Sequence, residues 1–322
     1  MSDENLALAA QCGVTDIVTK YPGTELSDLL QTKSRIEDFG MRLSAIEGFL
    51  PIENIKTGRD DGSELEAMKV LIQHMGEAGV EILCYNFMAG TDWVRTRLNV
   101  PDRGGAKVTA FDLEEVRQAI MLGHNSSGEL EAPQGVQISA TELWRLLESF
   151  LRELVPIAEA SGVVLAMHPD DPPLPEFLGK ARIMNSIESF QRLVDLVPSS
   201  SNAICFCQGT FTEMGVDISE TIRRFGSKIQ FVHCRDVRGT ASSFVETFHD
   251  NGPTDMVAAI RAYHEIGFEG PIRPDHVPQL VGENEGDPGY TMKGRLFAYG
   301  YLRALMQAAE ATCSRSANEQ NG

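Results

Sequence analysis

The chain alternates short β-rich runs with amphipathic helical stretches, and this alternation is what most constrains its fold. Helices at 64–78 and 141–160 each end at a glycine directly before the next strand, which is typical of a left-handed helix cap. Repetition of this unit predicts a mostly parallel sheet. Seven runs are predicted to be strands: 16–19, 42–47, 80–86, 163–168, 203–207, 228–234 and 271–275. Further helices are predicted at 26–39, 186–196, 218–225, 256–266 and 292–311.

Two architectures fit such a pattern, a doubly wound sheet and a (β/α)8 barrel. No GxGxxG run follows the first strand and there is no P-loop, so nothing supports the doubly wound form. A closed barrel needs eight strands, and residues 1–12 look helical, which leaves the first β/α unit incomplete. We expect a single TIM-type barrel domain over 1–322. Residues 101–135 are predicted to form an insertion with one helix at 113–122, and 314–322 a disordered tail.

The net charge of −18 excludes several classes of partner. An acidic surface repels nucleic acids and anionic membranes, because affinity for phosphates comes mainly from Lys and Arg. No apolar run reaches the ~18 residues of a membrane span, and the start MSDENLALAA is unlike a signal peptide. The six cysteines form no CxxC pair. These features favour a cytoplasmic protein with neither a nucleic acid nor a membrane as its partner.

Polar residues close the last four predicted strands, which end in His168, Cys207, His233 and Asp275. Active sites of barrels lie at that edge, and these residue types together are typical of a metal-ligand set. Each residue alone also has an ordinary explanation. A strand-end histidine is usually a satisfied polar group, a buried cysteine a small apolar residue, and an aspartate a helix cap.

Neighbouring residues extend this candidate site. Strand alternation puts Arg235 on the same face as His233, and Arg273 on the same face as Asp275, where an inward arginine suits a substrate carboxylate. The proline-rich run HPDDPP at 168–173 presents two carboxylates, Asp170 and Asp171, which are candidates to orient His168 or substrate hydroxyls. His276 follows Asp275 directly and is a candidate general acid or base, although it would also be an ordinary loop histidine.

At these residues the sequence resembles the D-mannonate dehydratase family, from roughly residue 7 to residue 310. The most specific match is HPDDPP at 168–173. Other matching runs are CYNFM at 84–88, DWVRT at 92–96, NAICFCQG at 202–209, FVHCR at 231–235, FHDNG at 248–252, IRPDH at 272–276 and PGY at 288–290. The family's usual aromatic first strand is missing, which agrees with the count of seven strands.

The resemblance implies a barrel of the xylose-isomerase group with a divalent metal, Mn²⁺ or Fe²⁺. It implies loss of water from D-mannonate to give 2-dehydro-3-deoxy-D-gluconate, a step of hexuronate catabolism. The ligand positions correspond to His168, Cys207, His233 and Asp275, with Cys207 preferred to Cys205 because Gly209 follows two residues later. His276 and Tyr290 match acid/base and substrate positions, in an order that the sequence does not assign. Asn86, in the run CYNFM, is predicted to contact substrate.

Two alternatives stay open at this point. One is a metal-dependent sugar isomerase or epimerase on the same barrel, and the other is a degenerate barrel that only binds a sugar acid. A lost strand leaves a sheet edge that a partner subunit can cover, so we also expect a homo-oligomer, a dimer or higher.

Overall fold

The computed structural model describes residues 2–118, 120–121, 128–129, 137–283 and 286–320. All seven predicted strands are confirmed. They form one parallel sheet in sequential order. The strands are β1 (Asp16–Thr19), β2 (Arg42–Glu47), β3 (Ile82–Tyr85), β4 (Val164–Met167), β5 (Asn202–Cys207), β6 (Ile229–Cys234) and β7 (Ile272–Pro274).

The helices alternate with the strands as predicted, and some of them have the capping residues that are expected at helix ends. Ser139 opens the helix Ala140–Ser161 by accepting a hydrogen bond from the Glu142 backbone N–H, and Gly162 closes it with φ 67°. The α-helices are α1 (Asp3–Gln11), α2 (Leu26–Glu37), α3 (Glu53–Lys56), α4 (Ser63–Ala78), α5 (Ala140–Ser161), α6 (Ile187–Leu196), α7 (Gln208–Glu213), α8 (Ile218–Phe225), α9 (Met256–Glu265) and α10 (Met292–Gln320).

The two faces of the sheet carry different residues. One face packs against the helices through large side chains such as Leu83, Met167 and Phe206. Side chains at alternate positions turn the other way, into a smaller cluster. That inner cluster consists of Ala45, Ile82, Cys84, Ala166, Cys205 and Phe231. The residues that follow it at the carboxyl end of each strand therefore point into the barrel mouth.

The barrel is open along one side, as the strand count predicted. No pairing joins β1 to β7 within the described part of the chain. Residues of both strands nevertheless line the same cavity, so the sheet curls until its two edges face each other. Leu6 of α1 and Leu302 of α10 also line this cavity.

The region after β3 departs from the prediction. The predicted helix at 113–122 is wrong: Leu113–Gln118 is a 3-10 helix, and Ile120–Met121 pairs with Val94–Arg95 as antiparallel strands. Pairing with a distant segment overrode the local helical pattern. Residues 119, 122–127 and 130–135 of the predicted insertion lie outside the described residues.

A second, antiparallel sheet stands over the carboxyl ends of the barrel strands. It joins segments that follow β3 with segments that follow β6. Its strands are Arg97–Pro101, Lys107–Asp112, Val237–Thr240 and Ser243–Glu246. The remaining short elements are the strands Gly128–Glu129, Glu176–Phe177 and Lys180–Ala181, and the 3-10 helices Arg103–Gly105 and Gly226–Lys228.

The end of the chain is described as helix as far as Gln320, within the stretch 314–322 that was predicted to be disordered. Asn321 and Gly322 lie outside the described residues. Among the described helices, none combines the length and apolar character needed to cross a membrane.

Candidate functional site

Three of the predicted metal ligands meet at the carboxyl ends of neighbouring strands. His168 follows β4, Cys207 closes β5, and His233 lies near the end of β6. One donor atom from each lies within 4.8 Å of the others. The Nδ1 of His168 is 2.7 Å from the Pro169 carbonyl oxygen, so Nδ1–H donates there and the Nε2 lone pair is left for another partner.

Cys207 is placed where its sulfur is stabilised as a thiolate. Burial raises the pKa of this thiol, but the positive Arg235 and His168 outweigh burial and hold it well below its usual value. The Thr210 hydroxyl donates to the sulfur over 3.2 Å. A thiolate between two imidazoles is a donor set that binds divalent transition metals.

Asp275 completes the predicted set from the loop after β7. Its Oδ2 lies 3.8 Å from the Nδ1 of His233, and its Oδ1 accepts a hydrogen bond from the Tyr290 hydroxyl over 3.2 Å. Both ring nitrogens of His233 are buried without a hydrogen-bond partner. An unpartnered buried nitrogen beside a thiolate and a carboxylate fits a ring that binds a cation, so the residues present suit a metal.

Glu47, which the sequence analysis did not select, lies on the far side of His233. Its Oε2 is 3.2 Å from the Nε2 of His233, and it also pairs with Arg273. Burial opposes ionisation of Glu47, but the charges of His233 and Arg273 lower its pKa to about 2. A carboxylate behind a metal-binding histidine fixes the ring orientation.

His276 is held in one orientation from two sides. Its Nδ1 lies 2.7 Å from Glu246 Oε1, and its ring stacks on Trp93 with centroids 4.1 Å apart. Burial opposes ionisation of Glu246, yet Arg235 and His276 lower its pKa. An ionised Glu246 makes Nδ1 the donor, which leaves the lone pair of His276 on Nε2, 3.5 Å from Asp275 Oδ2.

The two carboxylates of the proline-rich loop have different surroundings. Asp171 lines the cavity and accepts two hydrogen bonds from Arg95, at 2.8 and 3.0 Å, and one from Arg235 at 2.8 Å. Asp170 does not line the cavity. Its Oδ2 instead accepts from the Met184 backbone N–H over 2.7 Å, so it holds the loop.

The two arginines that were predicted to bind a substrate carboxylate differ in their position relative to the cavity. Arg235 is fully buried and does not line the cavity, and it donates to Asp171, Thr210, Glu213 and Glu246. Arg273 lies on the cavity wall with its guanidinium 5.5 Å from the Tyr290 ring centroid.

Asn86 is on the cavity wall after β3, where it accepts from Lys56 Nζ over 3.0 Å and donates to Asp92 over 3.2 Å. Sequence reasoning also missed Lys56, a buried lysine from α3 that lines the cavity. The sequence around Lys56 gives no indication of this position, because the loop before α3 brings the lysine to the site.

Most of these groups line one cavity of about 1320 Å³, whereas Asp170, Cys207, Arg235 and Glu246 lie behind its wall. That volume exceeds the ~300–1,000 Å³ of typical small-molecule sites, because the cavity continues from the barrel mouth to the gap between β1 and β7. Cations on its walls, among them Arg273 and Lys56, make part of it suitable for an anion in an otherwise acidic protein.

Residues 3–316 match the sequence profile of the family described as D-mannonate dehydratase (UxuA). Mannonate dehydratase 2 of Halalkalibacterium halodurans is 34% identical over 302 residues, which cover 88% of this chain and 87% of that protein. The mannonate dehydratase of Streptococcus uberis is 36% identical over 298 residues, covering 86% and 85%. The crystal structure of mannonate dehydratase from Streptococcus suis superposes with a TM-score of 0.85 at 30% identity, covering 95% and 91%.

More distant structures share the fold alone. An L-ribulose 3-epimerase is 14% identical with a TM-score of 0.60, covering 97% of this chain and 90% of its own. A xylose isomerase-like TIM barrel protein from Mycobacterium smegmatis is 15% identical with a TM-score of 0.63, covering 94% and 87%. These neighbours confirm the predicted xylose-isomerase-like barrel.

Proposed function

Because the chain belongs to the D-mannonate dehydratase family, we propose that it is a hydro-lyase that removes water from D-mannonate. The observation that carries this proposal is the convergence of His168, Cys207 and His233 beside a cavity that is lined by His168, His233, Asp275, His276 and Tyr290. The reaction takes the proton from C2 and the hydroxyl from C3. The resulting enol tautomerises to a 2-keto-3-deoxy acid.

His168, Cys207, His233 and Asp275 would hold a divalent cation. Such an ion supplies a Lewis acid that stabilises negative charge developing on the substrate carboxylate. Two imidazoles and a carboxylate accept Mn²⁺ or Fe²⁺, and the thiolate favours the softer Fe²⁺ of the two. Arg273, on the cavity wall, would bind the carboxylate, whereas Arg235 would hold Asp171 and Glu246 in position by donating hydrogen bonds to them.

His276 is assigned as the base and Tyr290 as the acid. Glu246 accepts the Nδ1 proton of His276, so Nε2 is the atom that takes the C2 proton, as in other carboxylate–histidine pairs. Burial and the neighbouring Asp275 raise the pKa of Tyr290, so its hydroxyl keeps the proton needed by the leaving C3 hydroxyl. Asp171 keeps Arg95 and Arg235 in place, and Asn86 lies where it can bind a substrate hydroxyl.

The proposal is tested by incubating Mn²⁺- or Fe²⁺-loaded protein with a panel of aldonic acids and measuring products by mass spectrometry. We expect D-mannonate to lose one water and give a 2-keto-3-deoxy acid. Products of unchanged mass would instead identify an isomerase or epimerase. Absence of any product from the whole panel would contradict an enzymatic role.

Metal binding is expected to depend on pH through His168. Burial lowers the pKa of this imidazole, but the Cys207 thiolate outweighs burial and raises it to about 9. The ion must displace that proton, and, burial notwithstanding, the neighbouring Cys205 and Glu47 also raise the pKa of His233. Affinity for Mn²⁺ should therefore tighten by about tenfold or more for each unit by which the pH rises towards 9, and depend less steeply on pH above it. Calorimetric titrations in buffers of different ionisation enthalpy measure both the affinity and the proton released. Affinity that does not change between about pH 7 and 8 would show that no proton is displaced.

We also propose that the protein is a homo-oligomer. The edges of β1 and β7 have no partner strand among the described residues, and exposed sheet edges are commonly covered by another element or subunit. Light scattering coupled to gel filtration measures the assembly mass, and a mass of one chain would contradict this proposal.

A further inference from the structure

A second group of candidate ligands lies deeper in the barrel than the site described above. The Sγ atoms of Cys84 and Cys205 and one nitrogen of His233 lie within 4.8 Å of one another, and all three residues are buried. The two cysteines come from inward positions of β3 and β5. The inward residues beside them, Ala45 and Ala166, are small.

The two nitrogens of His233 face different neighbours. Nδ1 lies 3.8 Å from Asp275 Oδ2, whereas Nε2 lies 3.2 Å from Glu47 Oε2. The Cys84 thiol lies 3.4 Å from the other oxygen of Glu47. Nε2 is therefore the nitrogen assigned to Cys84 and Glu47. Nδ1 is assigned to the site described above, which is called the upper site and consists of His168, Cys207, His233 and Asp275.

We propose that Cys84, Cys205 and the Nε2 of His233 bind a thiophilic divalent cation such as Zn²⁺ or Cd²⁺, with Glu47 as a fourth ligand. Two thiolates, an imidazole and a carboxylate are a common tetrahedral set for such ions. At zinc bond lengths of ~2.0–2.3 Å the ligand atoms stand about 3.5 Å apart, so small side-chain shifts suffice. Glu47, Cys84 and His233 line the cavity, which gives the ion a path of entry.

Buried cysteines are often only small apolar residues, and that would account for Cys84 and Cys205 by themselves. It does not account for the buried Nε2 of His233, which lies 3.2 Å from Glu47 Oε2 but makes no hydrogen bond. Nor does it account for a Glu47 carboxylate placed against both a thiol and an imidazole.

The deeper site has a consequence for activity, and this part alone depends on the proposed function. A neutral imidazole has one lone pair, so His233 binds one cation at a time. An ion held by Cys84, Cys205 and Glu47 takes His233 away from the catalytic ion. Thiophilic metals should therefore inhibit by emptying the upper site.

The test is a Cd²⁺ titration of metal-free protein, followed by elemental analysis and by thiolate-to-cadmium charge-transfer absorption. We expect one Cd²⁺ per chain with the absorption of two thiolates. Cys84→Ala and Cys205→Ala should each lose at least half of the absorption per bound ion and weaken binding more than about tenfold. Cys207→Ala and the matched buried control Cys234→Ala should keep the wild-type absorption per bound ion and the wild-type affinity for Cd²⁺.

Wild-type affinity and absorption in both Cys84→Ala and Cys205→Ala would overturn the proposal, as would loss of the signal in Cys207→Ala alone. Circular dichroism identifies a variant that fails to fold, in which case the other cysteine variant decides. The readout needs no turnover, so it stands or falls separately from the dehydratase assignment. In active protein, inhibition by Cd²⁺ should need at least about tenfold more metal in Cys205→Ala than in wild type, in line with the lost ligand.

Discussion

Cys207→Ala is expected to lower kcat/KM for D-mannonate more than about 10³-fold, because a catalytic metal contributes several kcal/mol of charge stabilisation. The substitution removes the sulfur that Arg235, His168 and Thr210 stabilise as a thiolate. Mn²⁺ or Fe²⁺ binding should weaken in parallel, measured by calorimetry on the same preparation.

Cys234→Ala is the matched control for this prediction. Cys234 is equally buried on the neighbouring strand, but its side chain packs among the helix-facing residues. We expect it to keep both metal binding and turnover. Unchanged turnover in Cys207→Ala would remove Cys207 from the site and leave the thiolate without a role.

His276→Asn is expected to reduce kcat by about 10²–10⁴-fold, the usual contribution of a positioned general base, while metal affinity stays within a few-fold of wild type. The separation arises because His276 contacts Glu246, Trp93 and Asp275 but is not one of the proposed ligands. Stopped assays at saturating D-mannonate measure kcat, and calorimetry measures metal binding.

The exposed His264 of α9 provides the control, since His264→Asn makes the same chemical change far from the cavity. Glu246→Gln adds a second test, because it keeps the shape of the carboxylate but removes the charge that fixes the His276 tautomer. We expect its kcat to fall between those of wild type and His276→Asn. Full activity in His276→Asn would require a different base.

Strand ends could be predicted from the sequence because local pattern and position agree there. His168, Cys207 and His233 end or follow strands that are correctly predicted, and alternation alone places them on the inner face. The same rule would have found Glu47 at the end of β2. Glu47 was not predicted, because only the ends of the last four strands were considered.

Groups brought in by tertiary pairing could not be predicted in this way. Glu246 reaches His276 from the antiparallel sheet, which forms only when chain following β3 meets chain following β6. Arg95 reaches His276 from the strand Val94–Arg95, which pairs with Ile120–Met121. A separate pairing, between Ile120–Met121 and Val94–Arg95, accompanies the replacement of the predicted helix at 113–122 by a 3-10 helix and a strand. Strand alternation predicts on which side of β6 the Arg235 side chain lies. It does not predict the carboxylates that accept hydrogen bonds from its guanidinium, because these come from distant segments.

The stacking of Trp93 on His276 also gives the protein an internal optical reporter. The chain has two tryptophans, and the other, Trp144, lies on α5 beneath the Arg192 guanidinium. A protonated imidazole quenches indole emission more strongly than a neutral one. The fluorescence of a Trp144→Phe variant would therefore follow the charge of the proposed base through binding and turnover, without a label or a coupled assay.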